Sequence, residues 1–249
     1  MASFGIDAIR YFANARAAGF DVHDLSYTFN RSNGLSSKLR NSGHQCKFYW
    51  GNTDCWETDL RDADQGGDDT TYTDSVDLMW IETHGNHTDN GQAYMVFDTP
   101  QTAWDTYSGQ WQLGELYGNA EWVMAYSCNT VDRNNILGLL NIFAGLHIYC
   151  GAWDSMYDGT TTDECGEDVA DNLVHGHTVS QAWHDGVSDW YVDNHPITVC
   201  VGDAATWNNG DVRWDLSYLN ADHLWGHGQV LADLPMYRRA CMLCRWTEG

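Results

Sequence analysis

The sequence predicts a three-layer α/β/α domain built on a mostly parallel central sheet. Two observations carry that expectation. Short, nearly continuous apolar runs recur along the chain: Val76-Asp77-Leu78-Met79-Trp80-Ile81-Glu82-Thr83, then Glu121-Trp122-Val123-Met124-Ala125-Tyr126-Ser127, then residues 146–153 and 196–201. Runs of this length suit strands buried on both faces, as in parallel sheets. Between them lie segments with helical spacing, so the order alternates strand and helix, the pattern of layered α/β domains.

The elements follow in order. Residues 4–20 suggest a short strand leading into a helix around residues 8–18. Residues 28–45 are rich in Ser, Asn and Gly and read as loop. Lys47-Phe48-Tyr49-Trp50 reads as a strand ending at Gly51-Asn52. Residues 58–75 read as an exposed acidic loop; Asp62, Asp64, Asp68 and Asp69 do not fit the EF-hand spacing. After His84-Gly85 a polar turn precedes a strand at residues 93–97. Ile136, Leu139, Leu140 and Phe143 repeat at helical spacing, with Gly145 as terminator. Residues 163–174 and 178–190 read as two helices around His175-Gly176-His177, and the run 196–201 as a last central strand ending at Gly202-Asp203.

Composition bounds the function. One domain over residues 1–249 is expected, since only 3 Pro and no long Gly/Ser tract interrupt 249 residues. A net charge of −23, from 12 Lys+Arg against 35 Asp+Glu, repels phosphate backbones and anionic lipid. Neither nucleic acid nor membrane is therefore an expected partner. No run approaches the ~18 apolar residues of a membrane span, and no signal-peptide pattern opens the chain. The 8 cysteines, among them a lone Cys241-x-x-Cys244, support no zinc ribbon. Reduced thiols in the cytoplasm are the expectation; a secreted form that has lost its leader is the alternative. His84, His87, His175, His177, His223 and His227 lie in loops, and no metal site or cofactor is expected from them.

The chemistry concentrates at two strand ends. One apolar run meets His84-Gly85, the other Cys128-Asn129-Thr130. In open α/β sheets functional groups gather beyond the carboxyl ends of the strands. If the two strands are neighbours, a base stands beside a thiol, the minimum apparatus of covalent catalysis. The blocks Ile81-Glu82-Thr83-His84-Gly85 and Met124-Ala125-Tyr126-Ser127-Cys128-Asn129-Thr130 resemble the caspase-like (clan CD) cysteine peptidases, and the second is most similar to the CHAT form. Phe143-Ala144-Gly145, Cys150-Gly151-Ala152-Trp153-Asp154 and Gly176-His177-Thr178-Val179 follow in the order of that form. The resemblance covers about residues 74–204; residues 1–73 and 205–249 carry no recognised motif.

The resemblance implies a caspase-like α/β/α domain and a cysteine hydrolase acting through an acyl-enzyme on a peptide. Cys128 would be the nucleophile and His84 the general base or acid. The backbone of Gly85 would contribute to the oxyanion hole. Glu82 shares a strand face with His84 and is a candidate orienting or pocket group. Tyr126 stands where some relatives carry an Asp that recognises a basic residue, so an apolar or aromatic substrate group, or none at all, is expected. Asp154 follows the third strand and is a further pocket candidate. Two alternatives stay open: an acyl-transfer or cyclising enzyme using the same dyad, and a non-catalytic binding module on a caspase-like scaffold. The expected partner is a peptide or acyl substrate; oligomeric state is left open.

Overall fold

The computed structural model describes residues 1–114, 118–188, 192, 194–201, 222–224 and 240–244. Strand β1 (Ser3–Ala8), helix α1 (Ala13–Ala17), helix α2 (Thr28–Asn41) and strand β2 (Gln45–Gly51) open the chain. Strands β3 (Leu78–Glu82), β4 (His84–His87), β5 (Ala93–Val96), β6 (Asp105–Tyr107), β7 (Trp122–Tyr126) and β8 (Ile148–Ala152) follow. Helices α3 (Cys165–Val174) and α4 (Val179–Val187) and strands β9 (Pro196–Val201) and β10 (Ala240–Cys244) complete the order.

The molecule is a mixed α/β domain. Its main sheet has seven strands in the order β10-β9-β8-β7-β3-β1-β2. β2, β1, β3, β7 and β8 run parallel, and β9 and β10 join as antiparallel partners. Every residue of β3, β7 and β8 is buried, the burial expected of central parallel strands covered on both faces. Alternate side chains divide between two apolar cores. Trp80, Trp122, Met124 and Tyr126 face α2, α3 and α4. Met79, Ile81, Val123 and Ala125 face the opposite core.

That second core differs from the expected helical layer. It is closed by the short α1, by 3₁₀ turns and by a three-stranded antiparallel sheet, β4-β5-β6. The helix expected near residues 134–143 is a 3₁₀ segment, Ile136–Ile142. Gly138 there lies directly on the backbone of Gly91 and Gln92, an approach that a side chain would block.

Two polar segments differ from what their composition predicts. Residues 28–45, read as loop, hold the 14-residue α2. Its buried stripe is Thr28, Arg31, Ser32, Leu35, Ser36 and Leu39, helical spacing written mostly in polar letters. Residues 58–75, read as exposed, bury Asp59, Asp62, Asp69 and Asp74. Their carboxylates replace secondary structure as acceptors. Asp59 takes the Trp56 N–H at 3.0 Å, Asp69 that of Ala63 at 3.1 Å, and Asp74 that of Gly114 at 2.9 Å.

The helix expected over residues 163–174 is α3, and that over 178–190 is α4, capped by the Thr178 hydroxyl accepting from Gln181 N. The expected end of the last strand at Gly202-Asp203 lies outside the described residues. No helix among them is long and apolar enough to cross a membrane.

Candidate functional site

β3 and β7 are adjacent and parallel, with Ile81 opposite Ala125 and Glu82 opposite Tyr126. His84 and Cys128 therefore stand at equivalent positions, each two residues beyond the last paired residue of its strand. The strand ends are tied together. Ser127 Oγ donates to the Thr83 carbonyl at 2.7 Å. Gly85 packs against the same turn: a Cβ there would collide with Ser127 Oγ and lie 3.0 Å from Thr130 Cγ2. Glycine at this position follows from that close approach. Past Cys128 the chain turns through Asn129 in the left-handed region, φ 51°, which Asn tolerates. It then pairs back along β8, Asn129 N to Asp154 O at 3.0 Å and Val131 N to Ala152 O at 3.0 Å.

The His84 ring is seated by residues that carry no motif. It meets Phe12 edge-on at 4.8 Å and His23 at 4.7 Å between centroids. Its Nε2 lies 2.7 Å from the His23 carbonyl and 3.3 Å from the His23 N–H. The shorter contact requires a proton on Nε2, since two acceptors at that distance repel. Nδ1 is then the basic nitrogen. Burial lowers the His84 pKa from its ordinary value, with the His23 carbonyl opposing. The imidazole is thus neutral near pH 7, the state a general base needs.

Cys128 Sγ is bracketed by one peptide. The Met156 N–H donates to it at 3.2 Å, and the thiol donates to the Met156 carbonyl at 3.6 Å. Burial pushes the thiol pKa up, against the Met156 N–H, and the nearby Asp154 charge adds to the rise. Sγ and the His84 imidazole are not hydrogen-bonded to each other; each takes its partners elsewhere. The resting pair is a neutral thiol and a neutral imidazole. Chemistry from this state requires proton transfer to Nδ1 as the sulfur attacks, rather than a standing thiolate.

The remaining sequence candidates divide. Asp154 borders Cys128 through its backbone and charge, with its side chain turned to Ser155 N at 2.7 Å and toward His195 Nε2 at 3.7 Å. Glu82 does not orient His84. It is fully buried against Arg31, Nε to Oε1 at 2.7 Å, and accepts from Ser32 Oγ at 3.3 Å. Tyr126 is likewise taken up in packing. It is buried beneath the Arg31 guanidinium, 4.4 Å from its ring, and donates its hydroxyl to the Tyr157 carbonyl at 2.9 Å. Even strand positions here face the helical layer, so both side chains are used in packing.

Sequence reasoning missed His23, Arg31, Met156 and Asp158. Arg31 carried a faint signal, a scarce cation in register with Leu35 and Leu39. His23 and Met156 act through their backbones, which no residue pattern encodes. Among the described residues no three His, Cys, Asp or Glu side chains are grouped as metal ligands would be. Cys46, Cys55, Cys128, Cys150, Cys165 and Cys200 are free thiols.

A search of the curated proteins finds no significant match to the chain. A family model described as a domain of unknown function matches residues 6–248, nearly the whole length, and the chain therefore belongs to the DUF6345 family.

Proposed function

We propose that the chain is a cysteine-dependent hydrolase with a caspase-like core, acting on peptides through an acyl-enzyme on Cys128 with His84 as base. The observation that carries this reading is the pairing of two strand ends. A histidine and a cysteine occupy equivalent positions beyond adjacent parallel strands, where such sheets present their functional groups. Substrate binding would exchange the Met156 contacts of the sulfur for the scissile carbonyl. Nδ1 of His84 would accept the thiol proton and return it to the leaving amine. The Gly85 backbone, held against Ser127, would stand beside the developing oxyanion.

The raised Cys128 thiol favours a second reading, a non-catalytic binding module on the same scaffold. One experiment separates them. Treat the full chain with iodoacetamide and identify the first cysteine modified by peptide mass spectrometry. Preferential labelling of Cys128, lost in His84→Ala, supports the enzyme. Labelling of Cys46 ahead of Cys128, unaffected by His84→Ala, supports the module. Incubating the wild type with mixed peptides then tells hydrolysis from the acyl-transfer or cyclising alternative by product mass.

A further inference from the structure

We propose that Asp158 is a positioning residue for the Cys128–His84 pair, holding the segment that seats His84 and the loop that holds Cys128 in one register. The inference rests on the catalytic reading of that pair. Asp158 Oδ2 accepts from Ser26 N at 2.5 Å, and Oδ1 from Tyr27 N at 3.1 Å. Those N–H groups lie just beyond His23, whose carbonyl fixes the His84 ring. Asp158 Oδ1 also takes Arg31 Nη2 at 2.8 Å, and Arg31 Nε reaches Glu82, the last residue of β3 and two before His84. On its own loop, Asp158 stands two residues after Met156, whose peptide brackets Cys128 Sγ.

A continuous path thus runs from the imidazole through the His23 peptide and Ser26 to the Asp158 carboxylate, and from there through Met156 to the sulfur. The carboxylate is a fixed charge. Burial works against it, but hydrogen bonds from Arg31 and Ser26 outweigh burial and hold it below the usual aspartate range. Its charge, with the His23 carbonyl, favours an imidazolium on His84, against burial first and then the His23 and Arg16 side chains; the acid facing Cys128 itself is Asp154. Asp158 can therefore set the geometry of the pair and stabilise the charged His84 that forms as the thiol gives up its proton.

The test is the pH–rate profile of Cys128 alkylation by iodoacetamide in the full chain, read by peptide mass spectrometry. Wild type, Asp158→Asn, His84→Ala and the double variant are compared. Asp158→Asn is expected to slow alkylation at pH 7 by about tenfold or more, the scale of a displaced reacting group. It is also expected to move the acid-side midpoint to lower pH, because the lost charge no longer favours the imidazolium of His84, and to add nothing in the His84→Ala background. A profile superposing on wild type overturns the proposal. So does an equal slowing with and without His84, the mark of a merely structural role. If Asp158→Asn does not fold, Asp158→Glu keeps the charge but lengthens the arm, and its alkylation at pH 7 must still be slower than wild type in a way that His84→Ala removes. Coincident wild-type and His84→Ala profiles would instead remove the catalytic reading itself, and this proposal with it.

Discussion

The Ser127 hydroxyl donates to the Thr83 carbonyl at 2.7 Å, binding the residue before Cys128 to the residue before His84. Parallel strands place two chain segments side by side, but their ladder ends at Glu82 and Tyr126. Beyond that point the chains would separate, β4 leaving toward its own small sheet. The side-chain bond extends the pairing by one residue on each strand. It carries the alignment of the sheet to the positions where the reactive groups stand.

Gly85→Ala should break this alignment. The added methyl would collide with Ser127 Oγ and crowd Thr130 Cγ2 and the Tyr94 carbonyl at 3.1 Å. Overpacking of this kind costs about 1–3 kcal/mol. A urea titration should show that loss, with slower Cys128 alkylation. Ser127→Ala, which removes the bond without a clash, should cost about 1 kcal/mol.

Arg31→Met should destabilise strongly. Arg31 and Glu82 are both buried, and the guanidinium is the counter-charge of a carboxylate whose pKa burial already raises. Removing one partner of such a pair costs about 3–5 kcal/mol. Adding Glu82→Gln should recover part of the loss, because the uncompensated charge goes with it. Denaturation midpoints of the two single variants and the double variant give the coupling directly.

The legible part of the fold was written in apolar runs. β3, β7 and β8, buried throughout, announced a parallel sheet, and the two strand-end motifs on β3 and β7 announced their adjacency. What stayed hidden was written in polar residues. α2 buries Arg31 and Ser32 because Glu82 and Asp158 supply them partners, and Ser36 accepts from Arg40 Nε, so its stripe resembles loop composition. The acids of residues 58–75 look solvated in the sequence because their partners are backbone N–H donors, which no residue pattern encodes. Strand parity points Glu82 toward the site and the family resemblance points Tyr126 there, but neither tells a pocket from a helix-covered core. His23 seats the catalytic histidine candidate by an edge-on ring contact and by a carbonyl that any residue could offer.

Stability should peak in mild acid and fall toward alkaline pH. Burial raises Asp59 and Asp69 to about 7, and raises Asp7, which faces Asp59 in the core. An aspartate in the unfolded chain titrates near 3.9. Between those values the folded chain binds more protons, so stability held below the unfolded pKa is lost as pH rises to about 7. Glu57 works in the opposite sense. Burial opposes its carboxylate, but backbone N–H groups of residues 101–103 outweigh it and lower its pKa, so its contribution is lost in stronger acid. Thermal melts should give a higher Tm near pH 5 than near pH 8. Asp7→Asn, which leaves an amide donor facing Asp59, should raise the Tm at pH 8 and flatten the dependence. An unchanged pH dependence in that variant would show that the pair does not share a proton.

Peptide hydrolysis should depend on one ionisation from His84 on its acid side, at a midpoint below the ordinary histidine value of about 6.5. The direction follows from the site. Burial lowers the His84 pKa, and catalysis needs the unprotonated Nδ1, so activity persists to lower pH than an exposed imidazole would allow. Cys128→Ala should abolish turnover and leave the fold intact, since it removes one half-buried sulfur that hydrogen-bonds the Met156 backbone and packs beside the helical core. His84→Ala should lower the rate by about 10²–10⁴-fold and remove the acid limb. The double variant should be no slower than Cys128→Ala alone, because two residues acting in one proton transfer are not additive. The measurement is release of fragments from a mixed peptide pool, followed by mass spectrometry from pH 4 to pH 9. An acid limb that survives His84→Ala would assign the base to another residue.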